Sequence, residues 1–248
     1  MKRAYVVRAA GVQCTQNRGG KERIHPMTEA KLTRAAIVDT AITLADESGI
    51  DALSMRRIAE RMGAGAMSLY RHIPNKDTLL AAMTDEVARR NPYPPPGHEV
   101  WTWRDRVRIA AEVDWRLYQE HPWVLFTFAV PRYNFGEHSL VVLNWMVEGF
   151  AELGVSTREA TRMALSVWSY IAGVALQHVS ARMLIDREAE TEERSGLTAL
   201  LEGTPRWPAP PALADLVGSG GADLLDPEYL LDTGLQALCD GFEASARR

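Results

Sequence analysis

Residues 54–76, SMRRIAERMGAGAMSLYRHIPNK, decide how the rest of this chain is read. Ser54 carries the side chain of a helix N-cap, and the spacing of Ile58, Ala59 and Met62 predicts a helix of about eight residues with one inward face. Gly63 supplies the backbone freedom that a tight turn needs. A second short helix is predicted over 65–72, with Leu69 turned inward against Ile58 and Leu44. Pro74 stops it, and Asn75 caps a further helix over 76–90. Two short helices about a glycine-containing turn form a helix-turn-helix, a unit that lays its second helix in the major groove of DNA.

On the N-terminal side, Leu32, Ala36, Ile37, Thr40, Ala41 and Leu44 recur at steps of three and four. They predict a helix from 28 or 29 to 47 with a single buried stripe, ended by Gly49. On the C-terminal side, NPYPPPGH (91–98) holds too much proline for a helix and marks the expected boundary between a head and a body. Helices are then expected over 103–119, 137–153, 157–193 (with Gly173 a candidate break) and 227–246. A short apolar piece at 123–130 is expected to stop at Pro131, and the Gly- and Pro-rich 196–227 forms a long loop. Almost nothing has strand character. The fold class is all-α: an N-terminal three-helix DNA-binding domain, then a larger C-terminal helical domain for ligand binding and dimerisation. The expected organisation is a basic arm over 1–27, the head over 28–90 and the body over 98–248.

Charge divides along the same line. Residues 1–90 carry fifteen Lys/Arg against ten Asp/Glu, a net of +5, and residues 91–248 carry thirteen against twenty-two, a net of -9. A basic front on an acidic body fits a DNA-reading head joined to a part with another task. The arm alone holds Lys2, Arg3, Arg8, Arg18, Lys21 and Arg23 against Glu22, which suits phosphates or a minor groove and equally suits a loose terminus. With 46% apolar and 24% charged residues the chain is neither disordered nor fibrous. No apolar run has the length of a signal-peptide core or a bilayer span, so no membrane partner is expected and the cytoplasm is the expected compartment. Cys14 and Cys239 have no disulfide-framework or zinc spacing.

The second short helix leaves Ala66, Met67, Ser68, Tyr70 and Arg71 on its outer side. An Arg forks onto guanine, an apolar side chain meets a thymine methyl, and hydroxyls bond to phosphates or bases. Arg56 stands at the groove edge, and Lys76 offers a phosphate its charge beside the free N–H groups of its own helix. Each residue has a plainer reading: Tyr70 as half-buried packing, His72 as a structural histidine before Pro74, Arg57 and Arg61 as a solvated face. Their assembly in one short basic domain favours the DNA-binding one.

The segment from Leu32 to Val87 resembles the DNA-binding domain of the tetracycline-repressor (TetR) family of bacterial transcription regulators. The matching runs are AAIVDTAITLADESGIDALSMRRIAERMG and SLYRHIPNKDTLL. The resemblance implies base-facing positions at Arg56, Ala66 and Met67, and backbone-contacting positions at Ser68, Tyr70 and Lys76. It places His72 at the DNA side of the domain. Ala64-Gly65-Ala66 departs from the polar residue that many relatives have just after the turn, and shifts specificity toward Arg56, Met67 and methyl contacts. The body resembles the C-terminal domain of the tetracycline repressor's own subgroup, through WRLYQEHPW, SYIAGVALQHV and LLDTGLQALCDGFEA. That resemblance implies a homodimer through about 165–184 and 229–242.

All seven tryptophans lie in the body. The expected effector site draws on Trp115, Tyr118, Phe126, Trp145, Trp168, Gln177 and His178, a set suited to a small hydrophobic or aromatic molecule, antibiotic-like compounds included. The plainer reading is that such rings fill a helical core. His98, His121, His138 and His178 form no metal-ligand cluster in sequence, and His121 in His-Pro-Trp suits a structural turn. No metal, cofactor or tetracycline binding is carried over. The expected function is a dimeric repressor released from a palindromic operator by an effector. The rivals are an effector-independent DNA-binding protein and an enzyme with a DNA-docking head. The enzyme lacks a recognisable nucleophile–base set, since His178 and Ser180 point to different helix faces.

Overall fold

Three side chains start the head helices in this computed structural model, which describes residues 32–93, 100–184, 211–216 and 224–247. Thr33 Oγ1 accepts from the Ala36 N–H at 3.1 Å, Ser54 Oγ from Arg57 at 3.2 Å, and Asn75 Oδ1 from Thr78 at 2.8 Å. Each satisfies a helix-start donor that no carbonyl can reach. They open α1 (Arg34–Ser48), α2 (Met55–Met62) and α4 (Lys76–Arg90). The Thr33 cap moves the start of α1 from the expected 28 or 29, leaving Leu32 and Thr33 non-helical. Gly63 ends α2 in the left-handed region at φ 63°, ψ 28°. The N–H of Ala64 then reaches the Ala59 carbonyl at 2.9 Å, a glycine-terminated closure that a Cβ would strain. The next helix, α3 (Ala66–Tyr70), is shorter than the predicted 65–72. Its cap residue, Gly65, has no side chain to hold the first turn.

Ile37, Ala41, Ile58, Leu69, Ile73, Leu79 and Met83 close the head core with at most 1% of their surface exposed. Val38, Ile42 and Ala45 join it, so the buried face of α1 is wider than the predicted stripe.

In the body, α5 (Trp103–Glu120) opens with a reciprocal Thr102–Asp105 capping box. The expected 123–130 piece is α6 (Val124–Phe128), and Pro131 then starts a separate turn, α7 (Pro131–Asn134), from its own first position. α8 (Glu137–Ala151), α9 (Thr157–Leu184) and α10 (Pro227–Ala246) complete the bundle, with α9 packed against α5, α8 and α10. Gly173 does not interrupt α9. Most of the predicted 196–227 loop lies outside the described residues, which include a 3-10 helix at Pro211–Leu216. The expected arm over 1–27, Cys14, His98 and the predicted helix beyond 184 also lie outside them. No strand occurs among the described residues, and no described helix is long and apolar enough to cross a membrane.

Helix α4 belongs to both regions. It packs against α1 in the head and against α6, α7 and α8 in the body. Three carboxylates fasten the junction. Asp46 Oδ1 lies 2.7 Å from His121 Nδ1 and accepts from Trp123 Nε1 at 2.7 Å. Asp77 accepts from the Tyr133 hydroxyl at 2.7 Å. Asp85 accepts from the His138 backbone N–H at 2.9 Å and meets its ring at 3.0 Å. His121 therefore ends α5 and also ties it to the head.

Candidate functional site

The outer face of α3 is short and mostly apolar. Met67 is 77% exposed and projects beyond its neighbours, Tyr70 and His72 are exposed, and Ala66 and Ser68 are half-buried. Arg71 is exposed and its guanidinium donates to Ser68 Oγ at 3.4 Å, a weak tether. Arg56 stands on α2 with its Nε donating to Glu60 Oε1 at 2.8 Å. That pair is one helical turn apart and largely in solvent, so its hold is slight and a phosphate or guanine can displace it. Lys76 donates from Nζ to the Leu53 carbonyl at 3.2 Å, which keeps its charge where α2 and α4 both begin. Arg57, by contrast, is engaged with Ser48 Oγ and the Ala52 carbonyl, and Arg61 with Glu47. Of the eight residues expected at the DNA side, Ala66, Met67, Ser68 and Tyr70 fall on α3, Arg71 and His72 in the turn that follows it, and Arg56 and Lys76 at the starts of α2 and α4.

The second site is a cavity of about 480 Å³ between α4, α5, α6, α7, α8 and α9. Its wall is apolar and aromatic: Leu117, Tyr118, Leu125, Phe128, Phe135, Val142, Leu165 and Trp168. Tyr118 and Phe128 meet edge to face, with centroids 6.2 Å apart. Asn91, Asn134, Ser139 and Ser169 add polar groups, and a hydrogen-bonded relay runs through Tyr93 to Asp114. Trp168 Nε1 donates to the Tyr93 hydroxyl at 2.9 Å, and Tyr93 donates to Asp114 Oδ2 at 3.0 Å. Asp114 is 6% exposed, and burial pushes its carboxyl up to about 7 against the pull of the Tyr93 hydrogen bond. Burial, with the Asp114 charge beside them, pushes the Tyr93 and Tyr118 hydroxyls well above the usual range. Ser139 Oγ, also on this wall, is buried without a hydrogen-bond partner among the described residues.

Of the seven residues expected to bind a ligand, Tyr118 and Trp168 line the cavity. Trp145 lies one layer back: its ring meets the edge of Tyr93 at 5.4 Å, and Arg106 covers it at 4.9 Å. Trp115 and His178 stack on each other at 5.4 Å, away from the wall. Phe126 is 51% exposed, because the one-turn α6 turns Leu125 and Phe128 inward instead. Gln177 is exposed on the outer side of α9. These five stand apart from this cavity's lining, because residue type does not say which helix face is hollow. The cavity's own Tyr93 and Asp114 were missed. Tyr93 sits in the proline tract expected to be a boundary, yet it is buried. Asp114 had a readable signal, since it lies on the inward stripe Val107, Ala110, Ala111, Asp114, Leu117, Tyr118, where an acid is out of place.

No group of three His, Cys, Asp or Glu side chains placed to hold a metal occurs among the described residues.

Residues 37–83 match the family described as "Bacterial regulatory proteins, tetR family", and residues 94–246 match "Tetracyclin repressor-like, C-terminal domain". The chain is 31% identical over 219 residues to an HTH-type transcriptional regulator of Saccharopolyspora erythraea, covering 88% of each chain. It is 29% identical over 222 residues to the HTH-type transcriptional repressor DrrR1 of Streptomyces coeruleorubidus, covering 86% of this chain and 77% of that one. Among solved structures, the Streptomyces coelicolor TetR family protein ActR in complex with actinorhodin superposes with a TM-score of 0.72 at 26% identity. That match covers 88% of this chain and all of ActR.

Proposed function

This chain belongs to the TetR family of bacterial regulatory proteins, and from that premise we propose a homodimeric repressor that releases a palindromic operator when a hydrophobic or aromatic molecule fills the body cavity. The observation that carries the reading is the position of α4. One end of this fifteen-residue helix holds Lys76 beside α3, and the other contributes Ala88 to the cavity wall, with Asn91 and Tyr93 just beyond. A straight helix of that length spans about 22 Å, so a ligand that displaces the cavity end moves the DNA end as well. The carboxylates on α1 and α4 that grip the body keep this motion from being lost in a slack joint.

Arg56, Ala66 and Met67 face bases in this reading. Ser68, Tyr70, Arg71, His72 and Lys76 meet the backbone and fix the register. The dimer comes from α9 and α10. Leu165, Ser169, Gly173 and Leu176 form one exposed stripe along α9, of which Leu165 and Ser169 also line the cavity, and Tyr229, Thr233, Ala237 and Gly241 form another along α10. Small residues between larger apolar ones let helices approach closely, as a four-helix interface needs. Two recognition helices held about one DNA turn apart then read two half-sites. The solved complex of ActR with actinorhodin supports a ligand for a chain of this architecture.

Fluorescence anisotropy on DNA from the protein's own promoter region tests the DNA half of this reading. Replacing Met67 or Arg56 by Ala is expected to weaken specific binding about tenfold, from the ~1–3 kcal/mol that a base contact contributes, with non-specific DNA affected less. Equal losses on specific and random DNA would remove base reading from these residues.

A further inference from the structure

We infer that the effector of this cavity is a lipophilic amine: an aromatic body carrying one protonated nitrogen that docks against Asp114. The inference rests on the cavity being the effector site, and it specifies the ligand's charge.

Hydrogen-bond direction is the first argument. An indole N–H only donates, so the Tyr93 oxygen accepts from Trp168 and its proton points onward to Asp114 Oδ2. The relay ends on an acceptor, and both of its members favour the charged carboxylate. Oδ1 of Asp114 has no hydrogen-bond partner among the described residues. Charge is the second argument. Among the described residues no Lys, Arg, His, Asp or Glu other than Asp114 lines the cavity, and what α4, α6, α7, α8 and α9 contribute to the wall is uncharged. Tyr93 and Tyr118 are the other titratable side chains of its described lining. A buried carboxylate with no counter-charge is costly, and the described lining supplies no cation. The third argument is the company Asp114 keeps. Tyr93, Tyr118, Phe128, Phe135 and Trp168 share its wall, and aromatic faces attract cations. An acid among rings selects a molecule that is apolar over most of its surface and positive at one point. A phenol or a neutral quinone makes no use of the missing charge.

With the Asp114 carboxyl pushed up to about 7, the free protein carries a proton there for much of the neutral range. Binding a cation displaces that proton, so affinity rises with pH until the carboxyl is ionised in the free protein too.

The test is isothermal titration calorimetry on the full chain with two planar probes: 9-aminoacridine, protonated throughout the range used, and acridine, its parent, uncharged at pH 7. Wild type is expected to bind 9-aminoacridine at least tenfold more tightly than acridine at pH 7. Asp114→Asn keeps the shape and the acceptor for Tyr93, and is expected to erase that gap while acridine affinity changes little. For wild type, 9-aminoacridine affinity is expected to rise about tenfold between pH 6 and pH 8, following the ionised fraction of a group titrating near 7. The pH series needs no variant, so it stands even if Asp114→Asn folds poorly. Acridine binding as well as 9-aminoacridine, a gap that persists in Asp114→Asn, or a flat pH series overturns the amine and leaves the cavity reading standing. Failure of both probes to bind wild type overturns the cavity reading, and the amine with it.

Discussion

The head and the body solve opposite packing problems with the same kind of helix. In the head, Ile58, Leu69, Ile73 and Met83 close the core completely, and the residues of interest stand outside it, with Met67 the most prominent. In the body, α5, α8 and α9 leave about 480 Å³ unfilled and place on the wall a carboxylate and a hydroxyl that has no hydrogen-bond partner among the described residues. A filled core makes a rigid platform for a surface to be read against. A hollow core gives up packing energy to leave room for something to enter. The contrast assigns rigidity to the DNA-reading end and responsiveness to the other.

The largest expected effect comes from the body's buried acid. The folded-state carboxyl of Asp114 titrates near 7 instead of 3.8, so the folded protein holds the proton more tightly than the unfolded chain does. The associated stability is fully present below about pH 4 and is lost as pH rises through 7. Asp114→Asn removes this loss. Urea unfolding at fixed protein concentration should show the variant more stable than wild type at pH 8, by up to about 4 kcal/mol, and the advantage should fade toward pH 4. A constant difference across that range would mean that the acid carries no desolvation cost, and the contrast with the head would weaken.

A matched pair of truncations comes next. Leu69→Ala opens a void in a closed core and should cost about 3 kcal/mol, whereas Val142→Ala widens a wall that is already hollow and should cost about 1 kcal/mol. Equal costs in urea melts would show that the two interiors are packed alike. The smallest effect concerns α3 itself. Gly65 has extended backbone angles, and a Cβ there meets nothing closer than Ser68 Oγ at 3.9 Å. Gly65→Ser should therefore supply the missing cap and stabilise the protein by a few tenths of a kcal/mol, measurable as a small rise in Tm.

The head was far more legible in the sequence than the body, for a physical reason. Its elements are set by local signals, the caps Ser54 and Asn75 and the turn at Gly63, each acting over three or four residues. The Thr33 start escaped because a helix-compatible run preceded it, and α3 came out shorter than its pattern because Gly65 supplies no side-chain cap. The body's long helices were equally visible in their apolar period, and α10 falls where expected over Pro227–Ala246. A cavity, however, is a property of how several helices meet. Trp115 and Trp168 look alike in sequence, yet one stacks on His178 and the other forms the wall. The head–body fastening was equally hidden, since Asp46 and Asp85 find His121 and His138 more than fifty positions away.

The central claim, that filling the cavity moves the heads, is tested most directly by distance measurement between the two protomers of the dimer. Spin labels at Asp51→Cys, an exposed head position, in a Cys14→Ser background report the separation of the heads, and the buried Cys239 stays unlabelled. A compound that calorimetry shows to bind, and that Ser139→Trp excludes by filling the cavity, is then added. The account predicts a shift of several ångströms in the distance distribution, absent in Ser139→Trp, together with loss of operator binding. Superimposable distributions with and without the bound compound would contradict it.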